Sequence, residues 1–256
     1  MSAAPPPAEL ERAARTVAQE AAELVHKVVG RAAALKTKST STDIVTPTDL
    51  RSEQHIRRRL DALVPGSSYV GEEYPRRSGS SGVTWVIDPI DGTVNFLYDL
   101  PVVAVSVAAE LDGVVVAGAV SDVLRGEVFS AARGHGAGNG DHPVAPTGIG
   151  ELGDALVGTG YSYRAATRVE QADVVSRVLP AARDIRSFGS AALQMCWVAC
   201  GRLDAYYERD LKPWDLAAGA FIASEAGARV EFPGDDNGDL TVVTTPGVFD
   251  ALRALL

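Results

Sequence analysis

Cysteine is scarce: the 256 residues hold two, Cys196 and Cys200. Four apart in what reads as a helix, they share a face but are poorly placed for a disulfide, so they are expected as buried thiols. Positive charge is also short, with 24 Lys and Arg against 33 Asp and Glu for a net charge of -9. That balance argues against a nonspecific nucleic-acid binder, which presents a basic face to phosphates. No apolar run approaches the roughly 18 residues of a membrane span, and MSAAPPPAEL has neither a basic segment nor an apolar core of a signal peptide. A soluble cytoplasmic protein is expected. The four histidines, His26, His55, His135 and His142, show no HExxH-like spacing, which disfavours a zinc hydrolase. No GxxxxGK(S/T) or GxSxG stretch occurs, so P-loop chemistry and a serine hydrolase lack support.

What is present is ordinary globular composition, 46% hydrophobic and 22% charged, in a chain long enough to bury a core without staples. Residues 1–7 read as a frayed tail. From Ala8 to about Leu35 apolar residues recur at helical spacing, and a second helix follows Thr48-Asp49 until Pro65-Gly66 ends it. Between them LKTKSTSTDIV reads as a loop. Short β runs come next (SYVGEE, VTWVID, VAVSVAAEL, VVVAGAVSD, GEVFSAA), and RGHGAGNGDHP reads as a hairpin-type connection rather than a nucleotide loop. After Gly150 strands and helices alternate. The expected organisation is an N-terminal α+β sub-domain over 8–148, largely antiparallel, and a C-terminal α/β sub-domain over 149–256, with layered helices and sheets.

Four carboxylates fall where strands end or helices begin: Glu72 in GEE, Asp88 and Asp91 in WVIDPIDGTVNF, and Asp215 in PWDLAAG. Singly, each reads as a cap or a solvated charge. Together they fit strand ends that meet at one crevice. Hard oxygen ligands without a His or Cys cluster point to Mg²⁺ rather than zinc. Pro89 turns the chain so that Asp88, the Ile90 carbonyl and Asp91 can face one point. Gly92 and Thr93 then open a short helix whose first amides suit an anion, and GSAAL at 189–193 offers a second helix start.

In order and spacing, GEE, WVIDPIDGTVNF and WDLAAG resemble the three signatures of the inositol monophosphatase family, part of the lithium-sensitive, Mg²⁺-dependent sugar-phosphatase superfamily. DIVTPTD, RSFGSAAL and DAYYE extend the resemblance over nearly the whole chain. It implies an alternating αβαβα sandwich and a homodimer. It also implies a phosphatase that hydrolyses inositol 1-phosphate to myo-inositol and phosphate with metal-activated water. Glu72, Asp88 and the Ile90 carbonyl would bind one Mg²⁺, and Asp88, Asp91 and Asp215 a second, with Glu72 helping to position a third. Thr93 and Asp49 match the pair that orients the attacking water, with Glu72 beside them as a catalytic residue. Phosphate would meet the amides of Gly92 and Thr93. Asp91, Gly189, Ser190, Ala191 and Glu208 would line the sugar, and Lys38 resembles a loop lysine of the family.

Related sequences act on histidinol phosphate, fructose 1,6-bisphosphate, NADP or adenosine 3',5'-bisphosphate, and these remain alternatives. Glu208 and the lack of a second basic cluster favour a small polyol monophosphate. An interaction protein that contacts RNA polymerase is the alternative from another class; retention of Glu72, Asp88, Asp91, Thr93 and Asp215 argues against a dead enzyme.

Overall fold

Leu10, Ala13, Ala14, Val17, Ala18, Ala21, Ala22 and Val25 are buried along one face of α1 (Pro7–His26), the spacing of an amphipathic helix. The computed structural model describes residues 4–30, 36–37, 44–234 and 239–256. α1 stops short of the expected Leu35: a turn runs over 27–30, and Gly30 takes φ +74°, a left-handed conformation that suits a helix exit. β1 (Lys36–Thr37) and β2 (Ile44–Val45) pair antiparallel. α2 (Pro47–Leu63) then starts on a capping box formed by Thr46 and Asp49, with Pro47 at the first helical position.

The larger sheet takes its strands in chain order: β3 (Ser68–Gly71), β4 (Val83–Asp91), β5 (Ala104–Leu111), β6 (Val114–Asp122), β7 (Val128–Ala132), β8 (Ala137–Asn139) and β9 (His142–Pro143). The short α3 (Thr93–Leu97) leaves the end of β4. β3 and β4 run parallel and the other neighbours antiparallel. The glycine-rich stretch therefore forms the expected hairpins, β7 to β8 and β8 to β9.

A smaller sheet of order β11-β10-β12-β14-β13 uses β10 (Leu156–Thr159), β11 (Asp184–Ser187), β12 (Ala205–Arg209), β13 (Arg229–Glu231) and β14 (Leu240–Thr244). β11 and β13 escape sequence reading because DIRS and RVE carry no apolar alternation. They are edge strands and need only one paired side.

Helices separate and cover the sheets. α1 and α2 pack on one face of the larger sheet around Trp85, Ile87 and Val105. α4 (Ala165–Val178) lies with α7 (Phe249–Arg253) against the outer face of the smaller sheet, around Val157, Tyr207 and Val242. Between the sheets lie α5 (Ala191–Ala199) and α6 (Pro213–Glu225), whose apolar residues join Val86, Phe129, Tyr206 and Val243 in one core. The order is the expected αβαβα sandwich. Both middle helices are apolar all round, as a helix buried between two sheets must be.

That middle layer depends on close backbone approach. At Gly219 of α6 a Cβ would lie 3.0 Å from the Ala192 carbonyl and 3.1 Å from Ala192 Cα of α5. Gly219→Val should therefore lower stability by about 2 kcal/mol through overpacking. Gly148→Ala, where a Cβ meets nothing within 4 Å, should leave the chemical denaturation midpoint unchanged; equal midpoints for both variants would refute the close contact.

Candidate active site

Asp88 and Asp91 lie three residues apart, so on a regular strand they would point to opposite faces of the sheet. Asp88 pairs with Ser106 and Asp91 with Ala104, so three steps along β4 match two along β5. This one-residue bulge restores both carboxylates to a common side. Pro89 lies inside it, where a missing N–H disturbs no ladder bond. Ser52 of α2 donates to the Pro89 carbonyl at 3.0 Å, and the Ile90 N–H donates to Asp88 Oδ1 at 3.0 Å. The chain then turns at Gly92 with φ +94°, where a Cβ would lie 2.8 Å from the Val102 carbonyl; only glycine fits there.

Thr93 opens α3. Its Oγ1 lies 3.2 Å from Asp49 Oδ1 and 3.0 Å from the Ile90 carbonyl. Asp49 is fully buried at the third position of α2, and its Oδ2 accepts from the Thr46 N–H at 2.8 Å and from the Thr46 hydroxyl. A hydroxyl has one proton to give and two lone pairs. With that proton directed to Asp49 or Ile90, the Thr93 oxygen is left as an acceptor.

Asp91 is seated on the start of α5. The Ala192 N–H donates to Oδ2 at 2.8 Å, the Ala191 N–H to Oδ1 at 3.2 Å, and the Ser190 hydroxyl to Oδ2. Ser190 and Ala191 thus reach the site with these donors turned to Asp91. Gly189 is exposed, and its carbonyl lies 3.2 Å from where a Gly92 Cβ would sit. Asp215, third residue of α6, accepts from the Lys212 N–H at 2.6 Å. Glu72 follows β3, its N–H donating to the Ile87 carbonyl at 3.3 Å.

Electrostatics join these pieces. Asp88 is held well above the usual carboxylate range, first by burial and then by the charges of Glu72, Asp91 and Asp215. Asp215 is likewise raised by burial, and by Glu72, Asp91 and Glu208, against the Lys212 hydrogen bond. Burial pushes Asp91 up to about 6, opposed by its donors at the start of α5. Burial and the Asp91 charge push Glu208 up to about 7, while a hydrogen bond from Tyr206 pulls it down.

Among the described residues no three His, Cys, Asp or Glu side chains close on one point as a ready cage. The mutual charge interactions bear more directly on cation binding, because Mg²⁺ usually keeps several waters and does not require an all-protein cage. Oxygen donors of like charge, with Asp88 and Asp91 buried and Glu72 and Asp215 half-buried, suit such an ion.

Lys38 lies outside the described residues. Three contributors carried no assignment from sequence. Asn95 Nδ2 donates to the Val102 carbonyl at 2.8 Å and the Phe188 carbonyl at 2.6 Å, tying α3 to the approach to α5. Ser52 pins the bulge, and Tyr206 holds Glu208. Asn95 lies within the motif and Tyr206 two residues before Glu208, but their roles depend on partners distant in sequence.

Similarity to known proteins bears on the family and the fold. Mycobacterium tuberculosis inositol-1-monophosphatase SuhB is 46% identical over 98% of this chain and 94% of its own length. A solved structure of Mycobacterium tuberculosis SuhB superposes with a TM-score of 0.85 at 46% identity, covering 98% of this chain and 96% of that one. The Escherichia coli protein named Nus factor SuhB is 36% identical over 84% of this chain and 82% of its own length. The sequence pattern described as the inositol monophosphatase family matches residues 7–248, and the chain belongs to that family.

Proposed function

We propose that the protein is a Mg²⁺-dependent phosphomonoesterase that hydrolyses inositol 1-phosphate to myo-inositol and phosphate. The observation that carries this reading is the convergence of Glu72, Asp88, Asp91 and Asp215 in one electrostatic neighbourhood, beside the Thr93–Asp49 pair. Release of phosphate from a panel of inositol 1-phosphate, histidinol phosphate, fructose 1,6-bisphosphate, NADP and adenosine 3',5'-bisphosphate tests it directly. Inositol 1-phosphate should be the best substrate.

Two to three Mg²⁺ ions would be held by Glu72, Asp88, the Ile90 carbonyl, Asp91 and Asp215, supplying neutralisation of phosphate charge and acidification of water. The chain's own groups do the positioning. First-turn amides of α3, at Gly92 and Thr93, have no intrahelical acceptor and suit phosphate oxygens. Thr93, its proton directed to Asp49, accepts from the incoming water and aims a lone pair of that water at phosphorus. Glu72 assists as a further acceptor, and Glu208 receives hydroxyl protons of the polyol. The reading includes a homodimer and, for Lys38, a supporting loop role.

The name of the Escherichia coli relative, a Nus factor, favours a second reading in which the protein also contacts RNA polymerase. Such contact would leave the hydrolytic residues in place.

Asp88→Asn should reduce kcat by about a thousandfold or more, the rate equivalent of the several kcal/mol that metal ions supply, and a chelator should abolish turnover of the parent enzyme. Full activity in chelator would overturn the cation assignment. Thr93→Ala should lower kcat by about a hundredfold, within the range for lost proton handling, whereas Thr93→Ser should retain most of it; equal losses in both would contradict a hydroxyl role.

A pH effect follows from the raised carboxylates. An acid whose folded pKa lies above its unfolded value contributes stability that is present below the unfolded pKa and lost as pH rises through the folded one. For Asp91 that loss spans about pH 4 to 6, and for Asp88 and Asp215 it continues higher. In chelator, the melting temperature should fall as pH rises through this window, and Mg²⁺ should flatten the slope. An identical slope with and without Mg²⁺ would show that these carboxylates do not meet the ion.

A further inference from the structure

Glu208 stands apart from the other acids of the site because its surroundings are built on the smaller sheet. Successive residues of a strand face opposite ways, so Tyr206 and Glu208 of β12 share the face turned toward α5, while Tyr207 faces the outer layer. Tyr206 is fully buried, and its hydroxyl donates to Glu208 Oε2. Glu208 itself is half-buried, within reach of the Asp91 charge.

On the neighbouring strand, β10 runs parallel to β12 with Thr159 opposite Tyr207, and the Thr159 hydroxyl donates to the Tyr207 carbonyl at 3.0 Å. The next residue, Gly160, is therefore brought alongside Glu208. A Cβ at Gly160 would fall 2.0 Å from Glu208 Oε2 and 2.4 Å from Oε1. Gly160 is not among the glycines of positive φ, so its backbone is open to any L residue. Space, not conformation, requires glycine here: the Glu208 carboxylate occupies the volume that a side chain at 160 would fill.

We propose that Tyr206 and Gly160 set the substrate preference of the site by fixing the Glu208 carboxylate, Tyr206 through its hydrogen bond and Gly160 by leaving the carboxylate its place. This rests on the reading of Glu208 as the acceptor of polyol hydroxyls. The tyrosine proton satisfies one lone pair of Oε2 and anchors the group in a single orientation. The remaining lone pairs are then presented to ligand hydroxyls as charge-assisted acceptors, without the ordering penalty of a free glutamate. Any side chain at 160 displaces the flexible end of Glu208 rather than backbone, so selectivity changes while the fold is kept.

The test compares inositol 1-phosphate with p-nitrophenyl phosphate, whose leaving group carries no additional hydroxyls. Both substrates are measured in the parent enzyme, Tyr206→Phe, Gly160→Ala, Glu208→Ala and the two double variants that include Glu208→Ala. Tyr206→Phe and Gly160→Ala should each cut the ratio of the two kcat/KM values by about tenfold, mainly through KM for inositol 1-phosphate, the scale of one hydrogen bond to a charged group. Neither should lower the ratio further once Glu208 is Ala. Equal losses on both substrates, or an undiminished effect in the Glu208→Ala background, would overturn the positioning role. If Tyr206→Phe fails to fold, Gly160→Ala alone decides. A parent enzyme without preference for inositol 1-phosphate would remove the polyol reading and this proposal with it, whereas a parental preference that both variants keep would sink this proposal alone.

Discussion

Repulsion between buried carboxylates is the constraint that the rest of the molecule accommodates. Two unscreened carboxylates about 4 Å apart repel by roughly 4 kcal/mol at an effective dielectric near 20. Here Asp88 feels Glu72, Asp91 and Asp215 at once. The fold answers with helix starts. Asp49 is the third residue of α2, Asp91 takes the first amides of α5, and Asp215 is the third residue of α6. Three N-termini, each with partial positive charge from first-turn amides that lack an intrahelical acceptor, thus carry these acids. Each offsets a part of the burial penalty and of the repulsion, and the raised pKa values that persist are the remainder.

The layered architecture explains why three helices can meet there. α2 belongs to the layer outside the larger sheet, while α5 and α6 belong to the layer between the sheets. A strand lying between two layers of helices can be approached from both faces, but only where it leaves the sheet. β4 does so at the Asp88–Asp91 bulge. The break in pairing that would weaken an ordinary strand is what gives α2, through Ser52, access to the Pro89 carbonyl. It also gives α5 access to Asp91. The close contact at Gly219 then fixes α6 relative to α5, and through them the spacing of Asp215 and Asp91.

Much of this was legible in the sequence, and the physical reason is uneven. WVIDPIDGTVNF is readable because its chemistry is local: acids, a proline and a Gly-Thr turn within eight residues. The αβαβα order follows from the resemblance, while the alternation of apolar runs gives only layered helices and sheets. The parity problem of Asp88 and Asp91 was not legible, because a bulge is defined by the partner strand and β5 carries no mark of it. Asn95, Ser52 and Tyr206 escaped for a similar reason: each acts on an atom supplied by another element. β11 and β13 escaped because an edge strand needs pairing more than pattern. The end of α1 was overrun because helical spacing continued to Val28 while the backbone was already turning toward Gly30.

The acids differ in what holds them, and that difference divides their roles. Asp91 is gripped by two amides and a hydroxyl, which fix both of its oxygens and limit the rise of its pKa to about 6 despite burial. Asp88 takes one amide at Oδ1 and shares a side-chain hydrogen bond with Glu72, and Asp215 takes one amide at Oδ2, so neither is held by several helix-start donors as Asp91 is. An acid held by several fixed donors defines a position more firmly than one held by a single backbone amide. Glu208 is intermediate, anchored by a phenol at one oxygen and shaped by the absence of a side chain at Gly160. Within a single crevice, donors supplied by helix ends, the β4 bulge and one tyrosine therefore hold four carboxylates of similar chemistry with unequal firmness.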